Sequence, residues 1–325
     1  MTADRPRLAA TLRTGLTRGG RTGWFLVRII IPLSAAVALL QWTGILDWIA
    51  RRIAPVMGIL GLPGEASIVL VSGFATGVYG GVAAAAVIPL TAHQMTIVAL
   101  IILICHNLFV ESAVQSRSGA SGLKVSAVRM ATALGLGFLL WQVLRWGDQG
   151  AAVVAQKLVQ GREETFALFL SSWAHGAFRL TLKILLIVVS LMVATELMRA
   201  YGVIDALVRP MRPVMRFLGL SERVTLLWLT GIFLGIAYGA GLIIEDARER
   251  HRFRPGDLRD LHVSLGVNHS VLEDTLLFAA IGANVFWCLA PRPFAAALVV
   301  RAVRRLVPSR PIEEPPPPRA QERIT

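Results

Sequence analysis

The chain has 325 residues, of which 55% are hydrophobic and only 16% are charged, and its mean hydropathy is +0.62. This composition excludes an ordinary soluble domain, which carries more charge and fewer long apolar runs. The formal net charge of +13 raises the question of nucleic-acid binding, but the sequence contains no motif that reads DNA or RNA. Basic residues in the loops of a multi-pass membrane protein explain the charge better.

The chain begins with a basic amino-terminal segment, residues 1–23, which is rich in arginine and is predicted to lie at the membrane interface. The apolar run from Trp24 to Trp42 follows and is long enough to span a bilayer. No cleavable signal peptide is evident. The positive charge before the first span predicts a cytoplasmic amino terminus and a location in the bacterial inner membrane.

Further apolar segments bring the number to about eight, and the predicted fold is an all-α, polytopic membrane protein. The further segments are Ala66–Leu90, Met95–Ala113, Val125–Leu144, Leu180–Leu197, Val224–Ile244, Leu261–Leu289 and Phe294–Val307. An amphipathic linker, residues 146–177, separates a first membrane repeat, residues 24–145, from a second membrane repeat, residues 178–308. Residues 309–325 contain four consecutive prolines and are predicted to form a disordered tail.

The two halves of the chain are internally duplicated. When the first half is shifted by 158 residues, many residues between Gly44 and Gly81 meet identical residues. The coinciding pairs include Asp47 with Asp205, Pro55 with Pro213, Gly73 with Gly231, and Gly77 with Gly235. After a five-residue insertion the shift becomes 163. Duplicated halves are typical of membrane transporters, which hold their substrate between the repeats near the bilayer midplane.

The relative orientation of the repeats depends on how many segments cross the membrane. If all four apolar segments of each half cross, the halves are parallel, and the arginines between Arg199 and Arg223 lie outside, which the charge rule disfavours. If one segment in each half is re-entrant, the halves are inverted and these arginines lie inside. The glycine-rich segments Gly73–Gly81 and Gly231–Gly241 are the candidates for broken or re-entrant helices, so inverted repeats are predicted.

A histidine and a carboxylate recur inside apolar runs, as His106 with Glu111 and, at the shift of 163, as His269 with Asp274. Ionisable groups at membrane depth are costly and usually face the protein interior or a cavity, so these are candidate functional residues. Five residues rotate a straight helix by about 500°, so His106 and Glu111 do not share a face unless the helix breaks. His269 and Glu273, four residues apart, are expected to share one. We expect the duplicated motif to meet across the pseudo-symmetry axis.

The predicted substrate-binding residues are His106, Asn107, Glu111, Asn268, His269, Glu273, Asp274, Tyr79 and Tyr238, and the predicted metal ligands are His106, Glu111, His269 and Asp274. Two histidines and two carboxylates suit a transition metal such as Fe²⁺, Zn²⁺ or Mn²⁺. The same groups suit proton coupling, because imidazole titrates near neutral pH. Spacing does not rank these options, so the cofactor stays unknown, with a divalent metal ion as one option.

Three features of the sequence together resemble a known family: the glycine-rich segments with Tyr-Gly at Tyr79 and Tyr238, the charged loop Glu245–Asp260, and the histidine-carboxylate helices. They are similar to those of the nucleoside-recognition, or Gate, domain membrane proteins, which include the spore maturation membrane proteins and the gate segments of ferrous-iron permeases. The resemblance covers roughly residues 24–145 and 178–306. It implies a duplicated architecture with discontinuous helices. The G-x-x-x-x-G-K-[ST] loop of the permeases' GTPase domain does not occur in this sequence.

The expected function is transport of a small polar solute or ion through a site between the repeats, linked to protons or to a metal. The alternative is a membrane scaffold or assembly protein that acts with a partner, as the resemblance to the spore maturation proteins implies. Neither H-E-x-x-H nor G-x-S-x-G occurs, so the chain is not expected to be an enzyme. The expected partners are the lipid bilayer, the solute or ion, and either a second copy of the chain or a partner membrane protein. Nucleic acid is not an expected partner.

Overall fold

The structure, a computed structural model, describes residues 8–145, 165–248, 253–254 and 256–307; within these ranges the side chains at 204–205, 209, 234, 237–242 and 245–248 are outside the description. The described residues form helices joined by short connections, without a strand among them. Five helices in these ranges are long and apolar enough to cross a membrane: Leu8–Trp42, Ala92–Arg117, Gly122–Leu144, Phe166–Ala200 and Val285–Leu306. The predicted all-α, multi-pass membrane fold is therefore confirmed. Ala92–Arg117 is itself interrupted, at His106 and Asn107, and the remaining predicted spans are broken helices as well.

Each repeat contains one long helix, an amphipathic linker, two broken helices and a closing helical segment. The helices of the first repeat are α1 (Leu8–Trp42), α2 (Ile45–Gly58), α3 (Ala66–Thr76), α4 (Val78–Ala85), α5 (Ala92–Cys105), α6 (Leu108–Arg117) and α7 (Gly122–Leu144). The helices of the second repeat are α8 (Phe166–Ala200), α9 (Val203–Val208), α10 (Arg212–Leu218), α11 (Thr225–Arg248), α12 (Asp257–Val267), α13 (Val271–Ala279), α14 (Val285–Leu289) and α15 (Pro291–Leu306). Short 3₁₀ turns occur at Arg209–Met211 and Glu222–Val224.

The helices recur at the two shifts found in the sequence. Both α1 and α8 are 35 residues long, and their first residues are separated by the shift of 158. Glycines with positive φ coincide as well: Gly44 with Gly202, Gly61 with Gly219, Gly77 with Gly235 and Gly119 with Gly282. Because positive φ favours glycine, these coincidences mean that both halves make the same backbone turns. The extra residues of the second half lengthen α11, which continues to Arg248.

The long helices α1 and α8 pack against each other in opposite directions. The close approaches along this seam are Gly15 with Val193, Gly19 with Val189 and Gly23 with Leu185. Residue numbers rise in α1 as they fall in α8, so these two equivalent helices are antiparallel. Equivalent helices would be parallel if a two-fold axis along the membrane normal related the halves. The repeats are therefore inverted, and the glycines of α1 let the two backbones approach closely.

A glycine interrupts one helix in each repeat at equivalent positions. Gly77 separates α3 from α4 with φ 90° and ψ −176°, and Gly235 interrupts α11 with φ 76° and ψ 166°. L-residues with a side chain rarely adopt this conformation, so glycine is what permits the break. The glycine-rich segments are thus discontinuous helices, as the sequence predicts.

The long helices run through two of the predicted domain boundaries. At 1.5 Å per residue, α1 is about 52 Å long, whereas the hydrocarbon core of a bilayer is about 30 Å thick. Residues 8–23 are therefore an extension of the first spanning helix, and α8 similarly continues across residues 177 and 178. Most of the predicted linker, residues 146–164, and the predicted tail, residues 309–325, lie outside the described residues.

Two hydrophobic cores hold the molecule together, and each one combines the two repeats. The larger core is built mainly from the first repeat, but it includes Ile184 and Val188 of α8 and Phe278 of α13. The smaller core is built mainly from the second repeat, but it includes Val114 and Val125 of the first. The two repeats therefore form one packed unit.

Candidate functional site

Each repeat contains a second helix break, located at the histidine of the duplicated motif. His106 and Asn107 separate α5 from α6, and Asn268, His269 and Ser270 separate α12 from α13. Asn107 has φ 50° and Ser270 has φ 45°, and they are the two non-glycine residues with positive φ in the described ranges. They are equivalent in the two repeats. Such strained residues cost about 1–3 kcal/mol and cluster at functional sites.

The two kinds of break touch each other within each repeat. The backbone N–H of Asn107 donates to the carbonyl of Gly73 at 3.2 Å, and that of Ser270 donates to the carbonyl of Gly231 at 3.1 Å. In each repeat, a backbone N–H group at the break of one helix is thus hydrogen-bonded to a carbonyl of the other discontinuous helix. Such irregular backbone is tolerated at membrane depth only where protein or water covers it. The crossed breaks therefore mark the centre of each repeat.

One sequence prediction about these breaks is wrong. His269 and Glu273 do not share the face of a continuous helix, because the break at Ser270 lies between them. Glu273 instead accepts a hydrogen bond from the hydroxyl of Tyr79, which belongs to the first repeat. Glu273 therefore joins the two halves across the site.

The two histidines present their Nε2 atoms to each other. The Nδ1 atom of His106 lies 3.0 Å from the carbonyl oxygen of Ile102, and that of His269 lies 2.6 Å from the carbonyl oxygen of Leu265. A carbonyl oxygen can only accept, so each Nδ1 carries the proton, and Nε2 of the neutral ring has a bare lone pair. The two Nε2 atoms are 3.1 Å apart. Two lone pairs this close repel each other, and a cation or an added proton between them would relieve the repulsion.

Two carboxylates complete this arrangement. Oε1 of Glu111 lies 3.1 Å from Nε2 of His269 and 3.4 Å from Nε2 of His106. Oδ2 of Asp274 lies 3.5 Å from Nε2 of His106, is buried and has no hydrogen-bond partner in the described part of the chain. The break between His106 and Glu111 brings these two side chains together, as the helical geometry demanded. All four predicted metal ligands thus lie in one buried cluster, which contains donors from both repeats.

Two buried arginines hold the histidine breaks in place, and the sequence analysis missed them. Arg129 donates to the carbonyls of Ile104 at 2.8 Å and His106 at 2.9 Å. Arg292 donates to the carbonyls of Val267 at 3.4 Å and His269 at 2.6 Å. Both arginines are 0% exposed. Their carbonyl partners are left without helical donors by the breaks, so each arginine caps an interrupted helix end.

The arginines also differ between the repeats. Nη1 of Arg129 lies 2.7 Å from Oε2 of Glu111 and neutralises that carboxylate. No equivalent ion pair joins Arg292 to Asp274 in the residues that the structure describes, and Nη1 of Arg292 lacks a hydrogen-bond partner there. The shift of 163 that aligns the histidines also aligns Arg129 with Arg292. Extending that alignment into α7 and α15 would have found both arginines.

A cavity of about 290 Å³ opens onto the cluster and is lined by both repeats. Asn107, Tyr79 and Glu273 line it together with the four clustered side chains. Asn268 is buried, and it is absent from the cavity lining. Tyr238 lies in the α11 backbone, and its side chain is outside the described part of the structure. At the shift of 158 Tyr79 corresponds to Ala237, so the two tyrosines are not equivalent positions.

Three of the four clustered side chains have ligand atoms spaced closely enough to hold one cation. The ligand atoms of His106, Glu111 and His269 all lie within 4.8 Å of one another. Two ligand atoms bound at about 2.0–2.1 Å to a tetrahedral ion are about 3.3 Å apart. The separations of 3.1, 3.1 and 3.4 Å between these three atoms are close to this value. Two arginines and three carboxylates leave one formal negative charge at the site, which favours a bound cation.

Comparison with known proteins agrees with this architecture. The family model described as "Gate: Nucleoside recognition" matches residues 24–116 and 181–291, one segment in each repeat. An uncharacterised membrane protein of Bacillus subtilis (strain 168), YvoD, is 31% identical over 289 residues, which is 89% of this chain and 92% of the relative. No solved structure gives a significant match. The two matched segments, together with the similarity along almost the whole chain, establish that the protein belongs to the nucleoside-recognition (Gate) family of membrane proteins.

Proposed function

We propose that the protein is a membrane transporter that moves a divalent transition-metal cation through the site between its two repeats. The observation that supports this most directly is the convergence of three acceptor atoms, Nε2 of His106, Nε2 of His269 and Oε1 of Glu111, with no hydrogen between them in the neutral tautomers. Imidazole and carboxylate ligands together suit Zn²⁺, Fe²⁺ and Mn²⁺. Oδ2 of Asp274, 3.5 Å from Nε2 of His106, lies outside this set of three atoms, and we propose that it joins the bound ion as a fourth ligand.

The surrounding fold supports transport rather than a static structural metal. Inverted repeats with discontinuous helices and a site at their interface are the architecture of many secondary transporters. A structural site is normally closed by four protein ligands, whereas this cluster borders a cavity of about 290 Å³. A bound ion therefore has a route out of the cluster.

The charge distribution supports one orientation in the membrane. The basic amino terminus is cytoplasmic by the charge rule. Because α1 and α8 are antiparallel, the carboxyl end of α8 and the arginine-rich linker after it lie on the same side. Both basic regions then face the cytoplasm of a bacterial inner membrane.

A binding experiment tests the site. Purified protein in detergent is titrated with Zn²⁺, Mn²⁺ and Fe²⁺, and His106→Ala and His269→Ala are compared with wild type. Even the loss of a group that only orients a ligand weakens metal binding about 10- to 100-fold, so each variant should lose at least this much. His175→Ala is the matched control, because Nδ1 of His175 also lies 2.9 Å from a carbonyl four residues earlier, but His175 is exposed and belongs neither to the cluster nor to the lining of its cavity.

A flux experiment tests transport. The wild type and both histidine variants are reconstituted in liposomes that contain a metal-sensitive dye, and ion entry is followed. We expect flux from the wild type and from His175→Ala only. If both cluster variants bind and move metal like wild type, the duplicated motif is a structural cap. If the wild type binds metal but moves none until a second membrane protein is added, the scaffold alternative replaces transport.

A further inference from the structure

A second cavity, of about 820 Å³, lies in the second repeat away from the histidine cluster. Four arginines line it from three different parts of the chain: Arg216, Arg223, Arg254 and Arg304. Arg216 belongs to α10, Arg254 precedes α12 and Arg304 belongs to α15. Convergence of guanidinium groups from separate elements on one concave surface is the usual way in which proteins bind phosphate groups.

The acidic residues at this cavity are already engaged. Asp260 accepts hydrogen bonds from Arg259 at 2.9 Å and from Arg304 at 2.6 Å. Glu222 forms an ion pair with Arg212 at 2.8 Å. The third carboxylate, that of Asp257, accepts from the backbone N–H of Arg254 at 2.9 Å. Among the described residues that line the cavity, four arginines outnumber these three acids, so this part of the lining carries surplus positive charge.

The first repeat provides an internal comparison. At the shifts that relate the two halves, the positions of the four lining arginines are occupied by Gly58, Glu65, Thr91 and Trp141. None of these is basic, and the position of Arg223 has the opposite charge. The same fold is thus built in the first repeat without a basic cavity. The first repeat makes the same backbone turns without these arginines, which supports a role for them in binding a ligand on one side of the membrane.

Exposed apolar side chains on the two helices that carry Arg216 and Arg304 indicate what kind of ligand this is. Phe217 follows Arg216 in α10 and is 42% exposed, and Leu306, two residues after Arg304 in α15, is 80% exposed. A soluble anion gains nothing from contact with exposed apolar side chains, whereas a phospholipid has acyl chains close to its phosphate that can pack against them. Basic pockets of this kind at the cytoplasmic side bind anionic headgroups. We propose that this cavity binds the phosphate of an anionic phospholipid.

A lipid-binding experiment tests the assignment. Purified full-length protein in a neutral detergent is titrated with phosphatidylglycerol, with phosphatidylcholine and with inorganic phosphate, and the thermal unfolding transition is followed. We expect phosphatidylglycerol alone to raise the transition temperature. Each arginine near an anionic lipid surface is worth about 1 kcal/mol, so Arg216→Gln with Arg254→Gln should weaken binding about 30-fold.

A charge-matched variant controls for non-specific attraction. Arg13→Gln with Arg21→Gln removes the same charge from an exposed face of α1, outside the cavity, and should leave the phosphatidylglycerol response unchanged. Equal loss in both double variants would overturn the site, because attraction would then depend on overall charge. An equal response to phosphatidylcholine would overturn headgroup selection. A full response to inorganic phosphate alone would show that the ligand is a soluble anion, not a lipid.

Discussion

Breaking the ion pair between Arg129 and Glu111 by removing one partner should strongly destabilise the described fold. The two side chains are 0% and 1% exposed, and their charged atoms are 2.7 Å apart. Removal of one partner of a buried pair leaves an uncompensated charge and costs about 3–5 kcal/mol. Arg129→Met also deprives the carbonyls of Ile104 and His106 of a charged donor, which is worth about 1.5–3 kcal/mol for each bond.

A double-mutant cycle isolates the pair from the carbonyl bonds. The variants are Arg129→Met, Glu111→Gln and their combination, and the free energy of unfolding is measured by reversible titration with a denaturing detergent. The double variant should be more stable than the sum of the two single effects predicts, by about 2–3 kcal/mol, because no buried charge is left unpaired.

The second repeat supplies the control cycle. Arg292→Met with Asp274→Asn removes the equivalent residues, between which the described structure has no ion pair. We expect a coupling energy below about 1 kcal/mol in this second cycle. Equal coupling energies in the two cycles would mean that the ion pair is not confined to the first repeat, and would refute the contrast between Arg129 and Arg292.

Three further predictions concern the backbone, the seam and the tail. Gly77→Ala should lower the free energy of unfolding by at least about 1 kcal/mol because Gly77 has a φ of 90°. Gly135→Ala, inside α7 with open space around it, should be neutral or stabilising. Equal effects of the two variants in a denaturation assay would contradict the assigned break. Gly15→Ala should cost about 1–3 kcal/mol because its Cβ would lie 2.8 Å from a backbone atom of α8, and Gly20→Ala, with nothing within 4 Å, should not. Truncation after Ser309 should leave membrane insertion and metal flux unchanged, since the tail is proline-rich and lacks apolar anchors; loss of either would refute it.

Much of the architecture could be predicted from the sequence because the duplication leaves a pattern that is independent of packing. Identical glycines at a constant shift indicated where both halves bend, and the structure has breaks at Gly77 and Gly235. The histidine-carboxylate motif pointed to the cluster for the same reason. In each case two weak signals reinforced each other because they occurred at equivalent positions.

The parts that could not be predicted depend on three-dimensional contacts. A continuous helix would place His269 and Glu273 on one face, and only the left-handed backbone at Ser270 separates them. Arg129 and Arg292 looked like ordinary arginines near helix ends, because nothing local shows that their partners are carbonyls of another broken helix. The antiparallel packing of α1 against α8 could also be seen only in the structure, since the distribution of arginines favoured inverted repeats without identifying the helices in contact.

The composition of the larger core has a consequence for how the chain is made. That core contains Leu26 from the first helix, Ile184 from α8 and Cys288 from α14. The ribosome must therefore synthesise almost the whole chain before this core can close. Until then the first repeat lies in the bilayer without the second repeat packed against His106 and Glu111. Quality-control proteases and insertion chaperones can act on it at this stage. A chain truncated before α14 cannot complete this core, so we expect it to be degraded during biogenesis.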